Sequence, residues 1–194
     1  ILEPEIIDVV KTATPDAPTL SDADDTIAFG VTFSNTGTNS AFEVNLTDDL
    51  AAGEIDNLDF NNIAITRNGT AIAGSEFVNN STATNFDISI NEVAKDDVIV
   101  VNYSADIINT IDPDYSFDNT TNLTYSTLPG TGTASNPTGS DTPGASGSAD
   151  GERNGAIGAV AGDLNNYADS DQTTLNTPGL AAVKSIVATS ETST

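Results

Sequence analysis

The stretch Thr26-Ile27-Ala28-Phe29-Gly30-Val31-Thr32-Phe33 places its large apolar side chains at 27, 29, 31 and 33, with small or polar residues between them. Successive side chains of an extended chain point to opposite faces, so this spacing gives one buried and one solvated face. A helix would need apolar spacings of three and four. Phe42-Glu43-Val44-Asn45-Leu46 repeats the pattern, and segments 5–12, 58–67, 83–90, 97–108 and 118–127 carry it between Gly, Pro, Asn and Asp breaks. Asn68-Gly69, between 63–66 and 71–73, is a two-residue hairpin signal, because both residues tolerate the positive φ of a type I′ turn.

No segment shows a sustained helical period. Seven or so short strands at turn spacing predict an all-β chain, an immunoglobulin-like antiparallel β-sandwich. From Pro129 the composition turns to Gly, Ser, Thr, Pro and Asp, which reads as a long loop insertion over 129–170. Residues 171–177 then read as a returning edge strand, and Pro178-Gly179 as a junction. Leu180-Ala181-Ala182-Val183-Lys184-Ser185 repeats the apolar approach to a Val-Lys-hydroxyl step seen at Val9-Val10-Lys11-Thr12. The division is therefore a sandwich over 1–179, followed by 180–194 as the first strand of a next copy or a strand donated to a neighbouring subunit.

The chain of 194 residues is long enough for a real core. It has no Cys, Met, Trp or His, which removes disulfides, thiol and imidazole catalysis and the usual ligands of zinc, copper and haem iron. With 29 Asp and Glu against 5 Lys and Arg the net charge is −24, so nucleic acid and anionic membranes are repelled and divalent cations attracted. No apolar run reaches membrane-spanning length and no basic segment precedes an apolar one, so membrane insertion and a signal peptide are not expected, and the chain reads as a mature segment or fragment. Absence of oxidisable side chains suits an extracellular, cell-surface location. No Gly-x-Ser-x-Gly elbow, phosphate loop or dinucleotide fingerprint occurs, so an enzyme is not expected.

Several motifs, in order, resemble the conserved-repeat domains found in tandem in very large bacterial and archaeal surface proteins. They are Glu3-Pro4-Glu5 leading to Val10-Lys11-Thr12, Asp22-Ala23-Asp24-Asp25-Thr26, Ser34-Asn35-Thr36-Gly37, Ala41 to Asp48, and Asn119-Thr120-Thr121-Asn122-Leu123-Thr124-Tyr125. Asp24 departs from the Gly usual in that turn, and the long final loop is absent from simple members. The resemblance implies a sandwich spacer in an adhesin or fibrous surface protein, without enzymatic activity, whose partners are adjacent copies of the same domain.

Two constellations could carry chemistry. Calcium needs six to eight oxygens on a flexible backbone. Asp150, Glu152, Asn154, Asp163, Asn165, Asp169 and Asp171 supply them between glycines, although EF-hand spacing is not met and an acidic loop without an ion is the plain alternative. Asp22, Asp24 and Asp25 form a second acidic group, joined by Asp96 and Asp97 or by Asp112 and Asp114 if those loops share its end of the sandwich; solvated turn aspartates are the alternative.

The other constellation is covalent. Some surface-fimbrial sandwiches form a Lys–Asn isopeptide bond, with a buried acid polarising the amide and burial leaving the lysine neutral. Lys11, Asn119 and Asp48 sit at positions resembling that arrangement, but a surface lysine and a turn asparagine would look the same in a chain this rich in carboxylates. The expected function is a calcium-stiffened spacer of a surface adhesin. Its alternatives are a subunit of a self-assembling filament and a calcium-dependent module that binds a glycan or peptide.

Overall fold

Alternation of apolar and polar residues is realised as two facing antiparallel sheets. The computed structural model describes residues 4–15, 22–126, 132–133, 136–137, 167–179 and 184–185. In chain order the strands are β1 (Ile6–Pro15), β2 (Thr26–Asn35), β3 (Ala41–Asp48), β4 (Ile55–Asp56), β5 (Ala64–Arg67), β6 (Thr70–Ala71) and β7 (Phe77–Asn79). They continue with β8 (Phe86–Val93), β9 (Val98–Ile107), β10 (Ser116–Ser126), a short pair β11 (Gly132–Thr133) and β12 (Asn136–Pro137), and β13 (Ala168–Asn176). One sheet runs β1-β2-β9-β5-β6, with β4 also on β9, and the other runs β13-β10-β3-β8-β7. Among the described residues there is no α-helix, and none long and apolar enough to cross a membrane.

The core lies between the sheets. Ile27, Phe29, Val31 and Phe33 of β2 meet Val44 and Leu46 of β3, Phe86, Ile88 and Ile90 of β8, and Leu123 of β10, all essentially without solvent contact. Each such side chain contributes about 1.5–3 kcal/mol on leaving water. The Asn68-Gly69 hairpin forms as read, joining β5 to β6 with φ of 51° and 80° at its two central residues.

The segment 58–67, read as one strand, is a strand only from Ala64. Upstream, Asn62 folds back on Asp59 through both backbone and side chain, and this turn breaks the ladder. β8 starts at Phe86 rather than at 83, because Thr82 and Asn85 close a tight turn in front of it.

Strand β1 contains the irregularity that matters most for the site. Its register against β2 shifts between Ile7 and Val10, where Asp8 takes a left-handed φ of 55°. A bulge adds one residue and so exchanges the faces beyond it. Ile6 and Val9 are both buried in consequence, Val10 is 48% exposed, and Lys11 points into the sandwich.

β1 and β13 are the facing edges of the two sheets, and side chains rather than a backbone ladder bridge them. The carboxylates of Asp169 and Asp171 accept the β1 amides of Val9 and Lys11 at 3.2 and 2.8 Å.

Candidate functional site

Four strands aim polar side chains at one point in this apolar interior. β1 contributes Lys11, 5% exposed, from the first sheet. Asp48 ends β3 in the second sheet and is likewise 5% exposed. On β10 the inward alternation Phe117, Asn119, Thr121, Leu123, Tyr125 places two polar residues where apolar ones would be expected, and Asn119 and Thr121 are fully buried. β9 brings Tyr103, whose ring packs between Phe29 and Phe86 at centroid distances of 5.2 and 4.3 Å.

These groups converge on the Asp48 carboxylate. Its Oδ2 accepts from Lys11 Nζ, from the Tyr103 hydroxyl and, at 3.2 Å, from Thr121 Oγ1. Its Oδ1 accepts the Leu50 amide at 2.8 Å. The Lys11 ammonium lies 5.4 Å above the Phe29 ring centroid. Burial pulls the Lys11 pKa below the ordinary lysine value, and the Asp48 carboxylate only partly offsets this. Burial also pushes the Tyr103 phenol well above its usual value, helped by the adjacent Asp48, so the hydroxyl remains a proton donor.

Asn119 lies two residues before Thr121 on the same inward face, within about 7 Å by strand geometry. Its Oδ1 accepts the Ala51 amide at 3.1 Å, while its Nδ2 is buried without a hydrogen-bond partner. An orphaned amide nitrogen in a dry interior is unfavourable by about 1–3 kcal/mol. The structure therefore brings Lys11, Asp48 and Asn119 into one buried compartment. The Asp48 carboxylate is engaged by Lys11, Tyr103, Thr121 and the Leu50 amide, and a backbone N–H holds the Asn119 carbonyl.

The acidic groups are placed differently. Asp22, Asp24 and Asp25 form a self-bonded turn, with the Asp22 amide on Asp25 Oδ2 at 2.6 Å and the Ala23 amide on Asp22 Oδ1 at 2.8 Å. The Asp24 amide binds the Ile107 carbonyl, so this turn shares its end of the sandwich with the loop carrying Asp112 and Asp114. Asp96 and Asp97 lie at the opposite end, where the Asp96 amide binds the Asn35 carbonyl; Asp97 pairs with Arg67, and Lys95 with Asp96.

Asp169 and Asp171 are on β13, engaged with β1. Asp150, Glu152, Asn154, Asp163 and Asn165 lie outside the described residues, as does nearly all of the 129–170 insertion and of the 180–194 segment. Among the described residues no three acidic side chains converge as a cation site.

Tyr103, Thr121 and the Ala51 amide were not singled out by sequence reading. A tyrosine inside the inward run 99, 101, 103, 105, 107 was the available signal for the first, and a threonine on the face of Phe117 and Leu123 for the second. No letter marks a backbone amide.

No family model and no curated protein matches the chain. Solved structures similar to it are pilin and adhesin domains. The Corynebacterium diphtheriae major pilin SpaA, described as a modular pilus assembly with stabilizing isopeptide bonds, is 20% identical over 61% of this chain and 32% of its own, with a TM-score of 0.46. The T6 backbone pilin of Streptococcus pyogenes is 12% identical over 90% of this chain and 36% of its own, at 0.48. A collagen-binding domain of a Staphylococcus aureus adhesin is 12% identical over 88% of this chain and 99% of its own, at 0.45. The chain thus spans about a third of the length of these pilins.

Proposed function

We propose that this chain is an extracellular structural module that locks its own two sheets together through an amide bond between Lys11 Nζ and Asn119 Cγ. The observation that carries the reading is the burial of a lysine amine on a carboxylate, in the same compartment as an asparagine whose leaving nitrogen nothing holds.

The chemistry follows from the surroundings. A charged lysine cannot attack, and burial lowers the proton affinity of Lys11. Asp48 Oδ2 lies on Nζ and takes the proton as the amine adds to Cγ. The same proton then passes to Nδ2, which departs as ammonia. One C–N bond forms, one breaks, and no oxidant or cofactor is consumed. The reaction occurs once per molecule and changes the protein itself, so the module is a structural element rather than an enzyme. An acidic surface and a lack of oxidisable side chains support long residence outside the cell, as a spacer in an adhesin or a subunit of a filament.

Intact mass tests the bond: the folded chain should weigh about 17 Da less than its sequence, the mass of one ammonia, and Lys11→Met or Asn119→Ala should restore the full mass. A wild-type chain at full mass would end the proposal. Sedimentation of the isolated chain separates spacer from filament, since strand donation between copies requires association that rises with concentration.

A further inference from the structure

The segment between β3 and β4 runs through consecutive left-handed residues, with φ of 47°, 52° and 55° at Leu50, Ala51 and Ala52 and 116° at Gly53. Outside glycine this conformation is unfavourable, because it brings Cβ too close to the following carbonyl oxygen. Such a run persists only where its surroundings over-determine it. Here Leu50 and Ala51 are buried, and Asp49 fastens the start of the turn to β10. The Asp49 amide binds the Thr120 carbonyl at 3.0 Å, and the Asp49 carboxylate accepts the amides of Thr120 and Ala51 at 2.9 Å each.

Asp49 is right-handed (φ −78°, ψ −6°) and Leu50 left-handed, the alternation that turns successive N–H groups towards one concavity and favours negative charge there. In this fold the concavity faces the triad. The Leu50 amide is on Asp48 Oδ1, and the Ala51 amide, shared with Asp49, is on Asn119 Oδ1.

We infer that the Ala51 backbone N–H is the oxyanion donor of the cross-linking reaction, held in place by the left-handed turn and by Asp49. The inference rests on the Lys11–Asn119 bond proposed above. When Nζ adds to Cγ, the carbonyl π pair moves onto Oδ1, which changes from a neutral oxygen to an anionic one. A donor already at 3.1 Å needs no reorganisation to stabilise that charge. Because Ala51 N–H is shared between two acceptors, its share of Oδ1 grows only as charge develops there, so it favours the transition state over the ground state. Asp49 is exposed, and solvent damps its repulsion of the new charge. When the tetrahedral centre collapses, Oδ1 returns to a carbonyl and ammonia leaves. The turn thus does for Asn119 what Asp48, engaged with the amine, does for Lys11.

The test is a time course of intact mass on chains released from cell-free synthesis. Replacing Ala51 by L-lactic acid through nonsense suppression exchanges only this N–H for an ester oxygen. The rate of the 17 Da loss should fall by roughly 10²–10³-fold, the usual effect of removing one oxyanion donor. Asp49→Asn keeps an Oδ1 acceptor for both amides but removes the negative charge that competes for the Ala51 N–H and repels the developing oxyanion, so it should react faster than wild type.

An ester variant that cross-links at the wild-type rate overturns the inference while leaving the bond itself intact. An Asp49→Asn chain that reacts no faster than wild type also overturns it, and serves if the ester chain does not fold. A wild-type chain that never loses mass removes instead the cross-link reading on which the inference rests.

Discussion

Asn119→Ala removes the acyl partner and leaves Lys11 on Asp48, so it isolates what the covalent bond adds to stability. Lys11 and Asn119 are 108 positions apart, and closing a loop of that size restricts the unfolded chain by about 4.8 kcal/mol at 25 °C on the chain-entropy relation for cross-links. The variant also strips the Ala51 amide of one of its two acceptors, a loss of about 1 kcal/mol. For a domain of this size each kcal/mol moves the melting midpoint by about 2–4 °C, so the two losses together should lower the melting midpoint of the variant by about 12–23 °C relative to wild type. The assay is calorimetry at neutral pH with intact mass measured on the same samples. A difference under about 5 °C between a cross-linked wild type and an unlinked variant would refute the loop-entropy argument, since it lies below the lower limit of that range.

Lys11 has a lower pKa in the fold than in the unfolded chain, so between those two values the unfolded chain binds more protons and stability rises with pH. Tyr103 is shifted upward, so above about pH 10 the native state keeps a proton that the unfolded chain gives up, and stability falls. Stability of the unlinked Asn119→Ala chain to denaturant should therefore rise with pH towards about pH 10 and fall beyond it; a flat profile would count against a lysine whose pKa is lowered by burial. Asp171→Ala deprives the Lys11 amide of its acceptor across the β1–β13 seam, and hydrogen exchange at that amide should quicken about tenfold, whereas unchanged exchange would mean the seam does not hold β1. Calcium binding by the acids of 150–171, proposed from sequence, predicts a larger rise in melting midpoint with calcium than with equal magnesium, and equal shifts would remove it.

The sandwich was legible because alternation survives wherever one face is dry. Phe29 and Val31 show it, and so does the Asn68-Gly69 turn, where chemistry and conformation coincide. It failed at 58–63, where Asp59 and Asn62 satisfy a turn locally although apolar residues flank them. The triad was legible in its side chains alone. Lys11 counts as inward only if the chain bulges at Asp8, and no residue type there announces a bulge, since an aspartate suits a strand end or a turn equally well. Asp48 and Asn119 stand out only when their parity is tied to buried neighbours, which needs the register of β3 against β10. The acids at 169 and 171 resemble cation ligands in the sequence because they close a stretch, 150–171, in which carboxylates and amides are interspersed with glycines. Their engagement with β1 depends on two sheet edges meeting, a contact between residues 160 positions apart.

The location of the proposed bond also bears on how the module would carry tension. Pulled from its two ends, the chain would pass force from the strand of Lys11 directly into the strand of Asn119 through a single amide. The 12–118 segment, which holds most of the core, would hang beside that path as slack and need not unravel for the load to be borne. Extension under load would then come only from residues outside the bridged pair.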